Sequence, residues 1–175
     1  MNLEEALAGK EIPANIKNSQ TLVSVPFVSF SGENREGQLV VHAAVAEEVR
    51  EIFKKLAEKR FPIRQIVPIV AYAWDDNASM AANNSSAFNY RVIAGTDRLS
   101  NHSYGRAIDL NPMQNPYMQR DGIIVPHGAK YDLMQKGTVT SEIAEVFKSY
   151  SWQWGGDWND RKDWQHFEKR NEIDI

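Results

Sequence analysis

The chain places two clusters of metal-binding residue types far apart in its sequence. The first reads SNHSYGRAIDLNP over residues 100–112 and contains His102 and Asp109. The second reads GGDWNDRKDWQHFE and contains Asp163 and His166. A hydrolytic zinc site usually has three protein ligands and one open position for water, and two imidazoles with one carboxylate suit it. We therefore expect a fold that brings His102, Asp109 and His166 together.

The residues between the first two candidate ligands favour a turn followed by a short strand. Gly105 lies where a tight turn needs a residue without Cβ. Ala107 and Asp109 fall on one face of the strand that follows. Ile108 and Leu110 fall on its other face and are expected to enter the core. Asp109 is then predicted to project from a rigid element.

The two clusters also match signatures of a known family. SNHSYGRAIDL resembles the Ser-x-His-x-x-Gly-x-Ala-x-Asp signature of the zinc D,D-peptidases, which include D-alanyl-D-alanine carboxypeptidases, dipeptidases and the L-alanyl-D-glutamate endopeptidases of phage lysins. KDWQHFE is similar to the second signature, in which an acidic residue precedes the last His ligand. The likeness covers roughly residues 38–168. It implies one zinc ion per chain held by His102, Asp109 and His166, with Asp163 as the general base.

The resemblance implies two further roles near the first ligand. The family has an arginine in a Tyr-Arg context, which Tyr90-Arg91 resembles, and this arginine would stabilise the oxyanion. The spacing from His102 leaves the equivalence open, and Arg98 is the competing candidate. Ser100 matches a family position that contacts substrate. The alternative for Arg91 is an ordinary arginine on the protein surface. The alternative for Ser100 is a serine that only forms hydrogen bonds with nearby backbone groups.

The composition limits the kind of site and of partner. The chain has 175 residues, no cysteine and a net charge of −3. The absence of cysteine excludes disulfides and thiolate zinc sites, so a metal must bind imidazole and carboxylate. The mixture of acids and bases argues against a nucleic-acid partner, and no apolar run approaches the length of about 18 residues that a transmembrane helix needs. We expect a monomer.

Hydrophobic periodicity predicts an α+β domain. We expect one domain over 1–175, with an N-terminal extension (1–37) packed on a motif-bearing core (38–168). Helices are predicted to pack on a mostly antiparallel sheet that carries the zinc, in the fold that D-alanyl-D-alanine peptidases share with hedgehog signalling domains. The predicted helices are 2–8, 43–59 and 140–150, the strands 22–30, 38–42, 66–74, 87–93, 106–110 and 164–168, and the loops 31–37, 75–86 and 111–131.

The resemblance implies a zinc peptidase that acts on peptidoglycan stem peptides or their precursors. D-alanyl-D-alanine carboxypeptidase is the favoured activity, and L-alanyl-D-glutamate endopeptidase is the alternative, because both share the motifs. A rival of a different class is a non-catalytic zinc-binding interaction domain of the hedgehog type. Asp163 discriminates between them, because a purely structural site needs no acid at that spacing. A metal-free binding domain with a chance match is the second rival.

A cell-wall substrate implies a location in the cell envelope or outside the cell. The first ten residues, MNLEEALAGK, lack the basic region and the apolar stretch of a secretory leader. We therefore expect either that a leader has been removed or that the protein leaves the cytoplasm by another route, as phage lysins do.

Overall fold

The computed structural model describes residues 1–170, so the last five residues of the predicted domain lie outside the described part. Its α-helices are α1 (Leu3–Ala6), α2 (Ala14–Lys17), α3 (Ala46–Glu58), α4 (Asp76–Ala81) and α5 (Ser141–Lys148). Its strands are β1 (Gln20–Val28), β2 (Asn34–His42), β3 (Gln65–Ile66), β4 (Asn84–Ser85), β5 (Ala107–Asp109), β6 (Tyr117–Met118), β7 (Ile124–Val125), β8 (Gln153–Trp154), β9 (Lys162–Asp163) and β10 (His166–Glu168). Short 3-10 helices cover Ala43–Val45, Ile69–Tyr72, Asn101–Tyr104 and Gly155–Asp157.

The predicted α+β class is confirmed, but the strands form several small sheets instead of one. β1 and β2 form a long antiparallel hairpin, β3 and β4 form a parallel pair, and two three-stranded sheets have the orders β5-β10-β8 and β7-β6-β9. Most of the strands around the predicted site are only two or three residues long. They end too soon to join the hairpin in a continuous sheet.

The predicted helices over 43–59 and 140–150 are confirmed as α3 and α5, and they build the main core. In α3, the apolar stripe is fully buried and packs on β1. In α5, the Thr140 side chain caps the first turn, because its hydroxyl oxygen accepts a hydrogen bond from the Ile143 N–H. Phe147 of α5 stacks on Phe167 of β10, with ring centroids 3.8 Å apart. This contact fixes β10 against the core from behind.

The hairpin of β1 and β2 is longer than predicted. β2 begins at Asn34, so residues 34–37, which were predicted as part of a turn, belong to the strand. Pro26 lies within β1, which pairs only with β2 among the described strands, so its missing N–H faces no second partner. A proline is tolerated at this position because β1 is an edge strand.

Two predicted strands are wrong. The apolar run 66–74 is extended only at its start, and Ala73 and Trp74 have φ values of 51° and 65°, which end any strand. Residues 87–93 form no regular strand, because their backbone groups bond to the segment around His102. The Asn89 N–H, for example, donates to the His102 carbonyl at 3.1 Å.

The predicted loop 75–86 contains α4 and β4. Asp75 caps α4, because its Oδ1 accepts a hydrogen bond from the Ala78 N–H at 3.0 Å. The predicted irregular stretch 111–131 likewise contains the hairpin of β6 and β7.

The N-terminal residues pack on the outer side of the hairpin. Asn2 and Glu5 form a capping box at α1, within the predicted helix 2–8. A second apolar cluster consists of Ala6, Leu7, Ile16, Val40 and Phe88. Among the described residues, none of the helices combines the length and apolar character that a membrane span requires.

Candidate metal centre

His102, Asp109 and His166 bring three ligand atoms to one buried point. His102 Nε2 lies 3.1 Å from Asp109 Oδ2 and 3.2 Å from His166 Nδ1. His166 Nδ1 lies 3.0 Å from Asp109 Oδ1. Ligand atoms around a tetrahedral zinc ion are about 3.3 Å apart, because each lies about 2.0–2.1 Å from the metal. The spacing of the two ring nitrogens and of the Asp109 carboxylate, which offers a different oxygen to each of them, therefore suits a metal ion.

A short helix and a tight turn place His102. Ser100 precedes the 3-10 helix Asn101–Tyr104, and its Oγ accepts a hydrogen bond from the His102 N–H at 3.3 Å. Gly105 ends the helix with a φ of 66°. A Cβ at Gly105 would lie 2.5 Å from the backbone nitrogen of His42 and would also meet the Gln20 side chain. The predicted requirement for glycine at this turn is therefore confirmed, both by the positive φ and by the lack of space for a Cβ.

Two neighbouring strands place Asp109 and His166. The residues lie directly opposite each other in the antiparallel pair of β5 and β10. Ile108 and Leu110 are fully buried in the core, so the predicted division of this segment into two faces is confirmed. Asp109 is held from its other side by Ser86, whose backbone exchanges two hydrogen bonds with it at 2.8 and 3.0 Å.

The second nitrogen of each imidazole is already engaged. His102 Nδ1–H donates to the Ala87 carbonyl at 2.5 Å, and His166 Nε2–H donates to Glu168 Oε2 at 3.0 Å. In the neutral rings that metal binding requires, these partners assign the tautomers and leave the lone pairs of His102 Nε2 and His166 Nδ1 facing the Asp109 carboxylate. The two lone pairs and the carboxylate repel one another at these distances unless a proton or a metal ion lies among them.

The electrostatics of the cluster favour a positive charge. Burial acts to raise the pKa of Asp109, but the charges and hydrogen bonds of the two histidines outweigh it, and that pKa lies far below its usual range. Burial acts to lower the pKa of His166, but its hydrogen bonds to Asp109 and Glu168 raise it to about 10. The carboxylates thus stabilise a cation at this point, whether a proton or a metal ion.

Asp163 lies at the end of β9 with one oxygen free of partners. Its side chain is half-buried, and its Oδ1 is shielded from solvent and has no hydrogen-bond partner within residues 1–170. Burial raises the pKa of this carboxyl to about 6; the negative charge of Asp109 also raises it, against the charge of His166. A carboxylate that titrates near neutral pH suits proton transfer.

The backbone of Asp163 is held by Gly155. A Cβ at Gly155 would lie 2.5 Å from the Asp163 carbonyl oxygen and 2.9 Å from its Cβ. Glycine at position 155 therefore allows close contact with the strand that carries the predicted base.

Arg91 is anchored beside the helix that carries His102. Its guanidinium forms a salt bridge to Asp76 at 2.9 Å, and its backbone bonds to Ser100 and to the Ser103 hydroxyl. Its Nε is shielded from solvent and has no partner in the described part of the chain. Arg98, the competing candidate, lies in an exposed turn.

Sequence reasoning missed two groups that hold the imidazoles. Glu168 follows His166 by two positions in a strand, so alternation places both on one face, and this signal could have been used. Ala87 contributes its backbone carbonyl, for which side-chain patterns give no signal. Ser100 has a clear local role as a helix cap, and its predicted contact with substrate stays a prediction.

Comparison with known proteins supports the same region of the chain. Residues 94–169 match the family described as D-alanyl-D-alanine carboxypeptidase. Over 70 residues the chain is 37% identical to the peptidoglycan L-alanyl-D-glutamate endopeptidase CwlK of Bacillus subtilis. That alignment covers 39% of this chain and 38% of the relative, so the chain spans well under half of the relative's length. No solved structure matches the chain significantly. The family match is shorter than the likeness expected over 38–168, but it contains all three candidate ligands and Asp163.

Proposed function

We propose, from the match of residues 94–169 to the family described as D-alanyl-D-alanine carboxypeptidase, that this chain is a zinc-dependent peptidase acting on peptidoglycan stem peptides or their precursors. The observation that carries the proposal is the convergence of His102, Asp109 and His166 on one buried point, where His102 Nε2 and His166 Nδ1 face the Asp109 carboxylate. We also propose the fold that the family shares with hedgehog signalling domains.

The donor set fits zinc better than the other common ions. Two imidazole nitrogens and one carboxylate are a usual ligand set of catalytic zinc, whereas magnesium and calcium prefer oxygen ligands alone. His102, Asp109 and His166 would hold the ion. Bound zinc would supply a Lewis acid for the substrate carbonyl and would lower the pKa of water at its open position.

The residues of the chain would move the proton and balance the charge. Asp163 accepts the proton of the attacking water and passes it to the leaving amine, in the usual role of a general base that then acts as an acid. Arg91 places its guanidinium near the carbonyl oxygen, where negative charge develops. The anchoring of Arg91 by Asp76 and by the segment around His102 supports this choice over the exposed Arg98.

Two peptide bonds are candidates for cleavage. The matching family is described as a D-alanyl-D-alanine carboxypeptidase, and we favour this activity. The matching relative is named for cleavage between L-alanine and D-glutamate, which keeps the endopeptidase as the second candidate. A muropeptide that contains both bonds decides between them, because mass spectrometry of the products distinguishes loss of terminal D-alanine from release of the whole stem. An intact substrate after incubation with the zinc-loaded protein contradicts both.

A non-catalytic zinc domain is the rival of a different class. The half-buried Asp163, with one oxygen free and a pKa of about 6, supports catalysis, because a structural zinc site has no use for such a group. His166→Ala is expected to abolish stoichiometric zinc in metal analysis, together with hydrolysis. Zinc retained at wild-type affinity in that variant would remove His166 from the ligand set.

The proposed location of the protein follows from its proposed substrate, peptidoglycan. Peptidoglycan and its stem peptides lie in the cell envelope, so we propose that the protein acts there or outside the cell as a monomer. Fractionation of cells that express the tagged full-length protein, followed by size-exclusion chromatography, tests both statements. Recovery of the protein only from the cytoplasm would contradict the first, and a dimer mass the second.

A further inference from the structure

We propose that Glu168, itself held by Asn101, is a positioning residue that sets the metal affinity of the centre through His166. The proposal rests on the metal centre of the preceding subsection. It goes beyond the three ligands and the base, because Glu168 contacts neither the metal position nor a reacting atom.

The contacts of Glu168 join the two elements that carry the histidines. Its Oε2 accepts hydrogen bonds from His166 Nε2–H at 3.0 Å and from Asn101 Nδ2–H at 2.7 Å. Asn101 belongs to the 3-10 helix that carries His102, whereas Glu168 belongs to β10 with His166. The side chain of Glu168 is only 14% exposed, so water competes little for these bonds.

The bond to Glu168 selects the tautomer of His166. A neutral imidazole carries one N–H and one lone pair, and the nitrogen that donates determines which nitrogen can bind a metal. With Nε2–H directed at the carboxylate, the lone pair lies on Nδ1, the atom that faces Asp109 and His102. A carboxylate behind an imidazole also makes the ligating nitrogen more basic, and its removal typically weakens metal binding by about 10–100-fold.

The position of β10 does not depend on Glu168. Phe167 is fully buried and stacks on Phe147, and the Lys169 N–H donates to the Arg106 carbonyl at 2.9 Å. The Lys169 ammonium also binds Glu48 and the Tyr150 carbonyl. Loss of the Glu168 carboxylate should therefore change the orientation and tautomer of His166 more than the fold.

Zinc affinity, measured by competition with a chromophoric chelator, tests the proposal without any substrate. We expect Glu168→Ala to raise the zinc Kd by about 10–100-fold. Glu168→Gln is nearly isosteric and keeps an acceptor oxygen, so it should lie between Glu168→Ala and the wild type. Asn101→Ala should show a smaller increase of the Kd, because it frees Glu168 without touching His166. Glu145→Ala, at an exposed position of α5, is the matched control and should bind zinc as the wild type does.

A spectroscopic measurement separates positioning from a general loss of structure. Nitrogen-15 NMR of the imidazole rings should report a protonated Nε2 on His166 in the zinc-loaded wild type and a mixture of tautomers in Glu168→Ala. Circular dichroism should be the same in both proteins. A Kd in Glu168→Ala within twofold of the wild type, with unchanged circular dichroism, would overturn the proposal and leave the peptidase intact. A wild-type protein that binds no zinc would overturn both.

Discussion

At the scale of the residue, the proposed chemistry depends on one carboxyl, that of Asp163, whose pKa lies near neutral pH. Asp163 has a raised pKa because its partial burial disfavours the charged form and because the negative charge of Asp109 lies near it. Asp163→Asn removes the proton acceptor and preserves the shape of the side chain. We expect this variant to bind one zinc ion in metal analysis and to lose about 10²–10⁴-fold in kcat. Wild-type turnover on the same muropeptide would exclude Asp163 as the base.

The same carboxyl predicts the acid side of the pH profile. A general base acts only when ionised, so kcat/KM should rise with pH through the pKa of Asp163 and level off above it. That pKa is about 6 with the charges of the chain alone, and a cation at the centre would lower it. We therefore expect the acid limb of kcat/KM at or below about pH 6, and it should be absent from the residual activity of Asp163→Asn. A limb well above this pH would point to another group.

Arg91 gives a third prediction with its own control. Arg91→Ala should lower kcat by about 10²–10³-fold, as the loss of an oxyanion donor typically does. Arg98→Ala, in the exposed turn, should retain the wild-type kcat. A change of KM alone in Arg91→Ala would instead indicate that Arg91 positions the substrate, and the reverse behaviour of the two variants would exchange their roles.

At the scale of the element, short strands hold the centre, and their pairing decides its geometry. Asp109 and His166 face each other across β5 and β10, and β9 carries Asp163 beside Gly155. Gly155 does not have a positive φ, so the effect of an added methyl group is steric. We expect Gly155→Ala to displace Asp163 and to lower kcat by about 10-fold or more while zinc is retained. An unchanged kcat would mean that β9 accommodates the added methyl group without moving Asp163 out of its working position.

Some of the helices and strands could be predicted from the sequence, and others could not. The helices α3 and α5 follow from their apolar periodicity, because one face of each must be buried. The run 66–74 has no such periodicity, and only the observed positive φ values of Ala73 and Trp74 exclude a strand. Strands such as β5 and β10 are too short to have a pattern of their own. Their positions were predictable only through the motif residues, because tertiary contacts determine where so short a strand forms.

At the scale of the whole molecule, the proposed metal ion would add directly to stability. A ligand that binds only the folded state stabilises it by about 2.7 kcal/mol at a free concentration of 100 times its Kd. For a chain of this length, that corresponds to a rise in Tm of about 5–11 °C. We expect calorimetry to report a lower Tm after dialysis against a chelator and recovery on adding zinc. His166→Ala should show no response to either treatment.

The separation of His102 and His166 along the chain, 64 positions, has a further consequence. A cation bound to both would tether two segments that lie far apart in the sequence of a protein that has no cysteine, and the tether would last as long as the ion stays bound. Such a tether is indifferent to oxidants and reductants. It is released instead by acid, because protons compete for the imidazoles, and the protein would thus lose its tether and its catalytic ion in the same step.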